Sequence, residues 1–356
     1  MLVTYAYVGC RTTRARNARG KGISVYRIDS TTGRWEPIEV CPAMDNPSFL
    51  ALNAQQDRLY AVHGDGSDVS SYCIDHATGR LEMLNTQSCA GMNPVHLALS
   101  RDRASLVVSN YATGAVARMP LGADGELLPV ASMVNLSGLP GPHRTEQSSS
   151  HPHQISRYAT VRYNSNWHIV PDKGLDTVFA VQWKENGEPM LMAHRCREGS
   201  GPRHAAFHPM SPIVYVANEL DSTVTTWRFD VFTGELEPLD TVSTIPRSMH
   251  GPTSAAGIAI DPTGRHLYVS NRGHDSVVTF TLDGASGFPK EPRWTDTQGE
   301  FPRFICLSPC GDHLYAANER SDTIVQFLRD KVAGNLTPTG RTIHTGSPVC
   351  IVFKNN

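Results

Sequence analysis

GIAIDPTGRHLYVSNRGHDSVVTFTLD, residues 257–283, decides how the chain is read. An apolar run leads into a D-P-T-G turn, then come the run LYVSN, a polar turn and an alternating run. Asp and Gly in such turns supply positive φ and local side-chain hydrogen bonds, so the stretch predicts antiparallel strands in sequence order. Further turns, TTGRWEP (31–37), ATGRLEM (77–83), ADGELLP (123–129), FTGELEP (232–238) and AGNLTP (333–338), each lead into a weaker fourth strand.

The same grammar recurs along the chain. Seven phrases put a proline before an apolar strand: NPSFLALN, NPVHLALS, HPHQIS, GPRHAAFHP, GPTSAAGIAIDP, FPRFICLSP and SPVCIVF. Their prolines, 47, 94, 152, 202, 252, 302 and 348, are spaced by 46 to 58 residues, which is the period of propeller blades. A β-sandwich has no reason to repeat at this spacing, and no segment carries the helical periodicity of βαβ crossovers. The predicted fold is all-β, a seven-bladed β-propeller with four antiparallel strands per blade, forming one domain over residues 1–356. The chain opens at YAYVGC, already a second-strand phrase, so the inner strand of blade 1 must be SPVCIVF near the other end. Blade 1 is therefore expected from residues 3–40 plus 346–353, a closure that removes exposed sheet edges.

The 356 residues carry 32 Lys and Arg against 34 Asp and Glu, a balance with no field to attract nucleic acid or an acidic membrane. No run approaches the length of a membrane span, and the first residues lack the pattern of a secretory leader. Eight cysteines lie scattered without CxxC pairs, as in a reduced compartment. The expectation is a cytoplasmic protein without disulfides, metal or cofactor, acting on a small molecule. Oligomeric state is left open.

Up-and-down blades send the start of the first strand and the turn between strands two and three to one mouth. Strand starts then bring His96, His151, His153, Arg203, His204 and Arg303 there, and the second turns bring His63, Tyr111, Lys173, Glu219, Arg272, His274 and Glu319. Arginine binds carboxylate or phosphate through a bidentate fork, so this ring suits a small anionic ligand. His76, His208, His250, His266, His313 and His344 fall elsewhere and are read as structural or solvent-exposed.

GPRHAAFHP with YVANELDSTVTTW, LYVSNRGHDSV, SNYATGAV and HPHQ after a Gly- and Pro-rich loop make the chain resemble the lactonase family of seven-bladed propellers. That family includes bacterial 6-phosphogluconolactonase and fungal carboxy-cis,cis-muconate cyclase. The resemblance spans essentially the whole chain and implies a catalytic set of His153, Arg203, Glu219 and Arg272. His96, His151, His204, Lys173, His274, Arg303, Glu319, His63 and Tyr111 are then the expected substrate-binding residues. The chain departs from the family pattern at His63, Lys173 and Glu319, and in a longer blade-four segment between His153 and Asp172.

The resemblance implies metal-independent hydrolysis of an anionic sugar-type lactone, with His153, or Glu219 through a water, as general base. A cycloisomerase closing a muconate-like diacid would use the same arginines. Two further alternatives are a non-catalytic interaction platform, against which the WD and kelch signatures are absent, and a metal-dependent lactonase, which would need inward oxygen ligands.

Overall fold

The computed structural model describes residues 4–29, 32–184 and 186–355. Seven four-stranded antiparallel sheets follow the repeat read from the sequence. The inner strands are Pro348–Asn355, Pro47–Leu52, Pro94–Leu99, Ser156–Ala159, Pro202–Phe207, Ser254–Ile260 and Pro302–Leu307, for blades 1 to 7. Five of the seven phrase prolines thus start their strand. Pro152 makes only a bridge to Asp172, and Pro252 precedes its strand by two residues.

Blade 1 closes as expected. Thr4–Cys10 pairs on one side with Ile23–Ile28 and on the other with Pro348–Asn355, in a register from Thr4↔Asn355 to Cys10↔Pro348. Trp35–Cys41 completes the sheet. Residue 3, the expected start of this blade, and Thr31 of TTGRWEP lie outside the described residues.

Burial explains the sequence pattern. Second strands such as Ile213–Asn218 and His266–Arg272 are covered on both faces and read as apolar runs, whereas outer strands such as Leu236–Ser243 alternate toward solvent. The recurrent tyrosine of these runs ties blade to blade. Tyr7, Tyr215 and Tyr268 each donate their buried hydroxyl to the carbonyl of a turn glycine in the next blade, Gly79, Gly287 and Gly334, at 2.9, 2.8 and 3.1 Å. Each ring fills the interface while its polar tip is satisfied. Gly79 is needed there: its φ is +73°, and a Cβ would sit 2.4 Å from the Tyr5 ring.

Candidate active site

One backbone hydrogen bond sets the mouth. In blade 5 the amide of Glu219 donates to the carbonyl of Gly201, just ahead of the inner-strand proline, at 2.7 Å. The same bond joins Arg11 to Ser347, Gly64 to Asn46, Tyr111 to Asn93, Lys173 to His151 and Glu319 to Phe301. Arg272 takes the corresponding place in blade 6, opposite Ser254. A ring of seven residues results, one per blade: Arg11, Gly64, Tyr111, Lys173, Glu219, Arg272 and Glu319.

Glu219 is the hub of one side. Its carboxylate lies 2.8 Å from Arg203 Nε, 3.0 Å from Arg272 Nη2 and 3.2 Å from Lys173 Nζ. Arg203 also donates Nη1 to the Ala256 carbonyl at 2.7 Å, and Arg272 donates Nη2 to Ala255 at 3.2 Å. Burial alone would raise the Glu219 pKa, but Arg272, Lys173, Arg203 and Arg303 overcome it and hold the group well below the usual carboxylate range. Conversely, burial followed by Arg272 and Arg303 pushes the Arg203 guanidinium downward, and Glu219 opposes that shift. The ions depend on one another because water is excluded.

Beside this hub stands a run of three imidazoles that meet edge to face. His153 meets His204 at 5.2 Å between ring centroids and Tyr111 at 5.6 Å, and His204 meets His96 at 6.0 Å. Burial, then the cations Arg203, Arg303, Lys173 and Arg272, drives His153 well below its ordinary value, so the ring is neutral. His204 is lowered the same way, and burial with Arg203 takes His96 down to about 3. Nδ1 of His153 is buried and makes no hydrogen bond to a described residue. His151 stacks on Tyr111 at 4.5 Å, and Lys173 Nζ lies 5.2 Å from the centroid of the same tyrosine ring. Arg303 pairs with Glu319 at 3.8 Å on the far side.

Two expected binding residues stand apart. His63 is turned into blade 2, where Nε2 bonds Ser70 at 2.8 Å. Asn218 bonds Thr225 seven residues on in the same way, so His63 occupies the blade-internal position and Gly64 the mouth position. The one-residue difference matters because successive strand residues face opposite sides. His274 bonds Ser276 within its own turn at 2.6 Å and has no hydrogen bond or ion pair to the hub among the described residues.

Sequence reading misses Arg11, Gly64 and Glu146. Arg11 was legible in principle, since it follows YVGC as Glu219 follows YVAN. Glu146 has no repeat position: it comes from the long loop before His151 and reaches Lys173 at 2.6 Å. That loop is pinned by Gln147, which donates to the Lys173 carbonyl at 2.9 Å, and by the His151 amide, which donates to Asp172 at 2.8 Å. Larger clefts of about 430 and 620 Å³ lie outside this cluster and contain none of its residues. A cavity of about 320 Å³ runs along the inner strands and includes His204, Gln154, Phe49 and Phe304.

Fold and mouth together define a propeller lactonase, and the chain belongs to that family: residues 5–353 match the family model of the seven-bladed β-propeller lactonases. It is 30% identical over 349 residues to the 6-phosphogluconolactonase of Bacillus subtilis, covering 98% of both chains. To the 6-phosphogluconolactonase of Formosa agariphila it is 29% identical over 298 residues, covering 80% of this chain and 81% of the relative. The periplasmic gluconolactonase of Pseudomonas aeruginosa superposes with a TM-score of 0.88 at 29% identity, covering 99% of each chain.

Proposed function

We propose that this protein hydrolyses an anionic sugar-type lactone at the mouth, without a metal, by the joint action of His153, Arg203, Glu219 and Arg272. The observation that carries this reading is the Glu219 carboxylate bridging two buried guanidiniums beside a neutral histidine. The relatives named for 6-phosphogluconolactone and gluconolactone hydrolysis support it.

The Glu219 carboxylate is already engaged by Arg203, Arg272 and Lys173 together, and its part is to hold them rather than to meet a water. His153 is neutral and stands beside the hub against His204 and Tyr111, so we assign to it the proton of the attacking water. Water adds to the lactone carbonyl, and Arg203 and Arg272 stabilise the oxyanion that forms. When the tetrahedral intermediate collapses, the ring C–O bond breaks and the imidazolium returns its proton to the leaving alkoxide, giving the open hydroxy acid. General-base assistance of about 10² to 10⁴-fold and oxyanion stabilisation of about 10² to 10³-fold suffice for an ester already reactive in water. Glu219 positions both arginines throughout.

Among the described residues, no three His, Cys, Asp or Glu side chains stand together as a metal site, and no helix is long and apolar enough to cross a membrane. The eight free cysteines fit a reducing compartment, and we place the protein in the cytoplasm. A panel of sugar lactones and muconate-like diacids, followed by proton release and ultraviolet absorbance with and without EDTA, tests the reading. Lactone opening that survives EDTA is expected; ring closure of the diacids with no lactone opening overturns it.

A further inference from the structure

Across the ring from Glu219 lies a second cationic group that hydrolysis does not use. Arg11 is only 4% exposed, yet its guanidinium donates no hydrogen bond to any described residue, and Nη1 has no solvent-accessible surface. The carboxylate in its ion pair, Asp65, stands 3.9 Å away and is already bonded by Arg16, whose Nε lies 2.8 Å from it. Burying a guanidinium without hydrogen bonds is costly, so such an arrangement calls for a partner.

The neighbouring residues leave space for this guanidinium. Gly64 occupies the ring position of blade 2, and a Cβ there would come within 2.4 Å of Arg11 Nη1 and 2.9 Å of Ser48 Oγ. Ser48 Oγ is itself buried without a hydrogen-bond partner. Arg303 is a nearby cation and Glu319 a nearby anion, the latter paired with Arg303 at 3.8 Å. Three guanidiniums, Arg11, Arg16 and Arg303, thus face two carboxylates, Asp65 and Glu319, and the group keeps a net positive charge. Burial, with Arg303 and Arg16, lowers Arg11 only to about 9, so it stays charged at neutral pH.

We propose that Arg11, Arg303 and Ser48 form a second anion subsite, which takes the phosphoryl group of a phosphorylated lactone whose carbonyl lies at Arg203 and Arg272. The hub belongs to blades 4, 5 and 6 and the second group to blades 7, 1 and 2, so the two poles of the ligand are held from opposite sides of the axis. Arg303, on the inner strand of blade 7, comes between Arg272 of blade 6 and Arg11 of blade 1 around the ring, so it joins the two groups. A guanidinium fork beside a hydroxyl suits a tetrahedral oxyanion with several acceptor oxygens.

This inference rests on the lactonase reading, and the experiment separates the two. Values of kcat/KM are measured for a sugar lactone with and without its phosphate, in the wild type, Arg11→Gln and Gly64→Ala. The ratio of phosphorylated to unphosphorylated substrate should fall at least thirtyfold in Arg11→Gln, and in the same direction in Gly64→Ala, whose methyl occupies the position of the guanidinium. A ratio within twofold of wild type in both variants overturns the subsite. Should the wild type open neither lactone, the lactonase reading fails, and calorimetric titration with inorganic phosphate judges the subsite alone. Binding weakened at least tenfold by Arg11→Gln then supports it, and no binding, or equal binding by wild type and variant, overturns it.

Discussion

Arg203 Nε lies 2.8 Å from the carboxylate of Glu219, although sixteen residues and two strands separate them in the chain. The bulge after Pro202 and the hydrogen bond from the Glu219 amide to Gly201 bring the start of one strand and the end of the next to the same mouth. Both groups are buried, and each makes the other's charge tolerable.

Glu219→Gln keeps the volume of the side chain but leaves Arg203, Arg272 and Lys173 without their shared counterion. Breaking a buried pair of this kind costs about 3 to 5 kcal/mol, so thermal unfolding should move down by several degrees. The arginines also lose their orientation, and kcat should fall about 10²-fold or more in variant protein shown to be folded. His208 bonds the Gly264 carbonyl at 3.1 Å, away from the mouth, and His208→Asn should leave kcat as it is. Steady-state kinetics beside a melting curve checks both.

Arg203→Lys tests geometry at constant charge. The guanidinium reaches Glu219 with Nε and the Ala256 carbonyl with Nη1, directions a single ammonium cannot reproduce. Activity should drop at least about tenfold, equivalent to roughly 1.4 kcal/mol of transition-state stabilisation. Full activity in this variant would remove Arg203 from the mechanism.

The pH profile reports on His153. Its folded pKa lies well below 6.5, so the neutral base persists as pH falls through that value. Accordingly kcat/KM should show no acid break near pH 6.5, with the limb appearing well below it. Arg303 is one of the cations lowering His153, so Arg303→Gln should raise the pKa and move the acid limb to higher pH. A limb that stays in place in a folded variant would separate Arg303 from that histidine.

Deletion of residues 346–356 removes the inner strand of blade 1. Tyr5, Ala6, Tyr7 and Val8 would lose their antiparallel partners and face an open axis. The truncated chain should fail to accumulate as soluble protein, or should melt far below the full chain. Unchanged melting would contradict the closure.

The sequence by itself determined the architecture, because a proline phrase at each inner strand and turns bearing glycine recur at blade spacing. It also brought His153, Arg203, Glu219 and Arg272 to one mouth, since strand starts and second turns share one face. What only the tertiary structure decided is the direction of individual side chains and the contacts made by irregular loops. His63 looked like a mouth residue, but the pleat turns it onto Ser70 and gives its place to Gly64, beside which Arg11 lies. Glu146 reaches Lys173 from a loop that belongs to no repeat. Periodicity specifies which residues share an edge of the sheet; a shift of one residue, or a loop without period, is resolved only when the backbone hydrogen bonds fix the register.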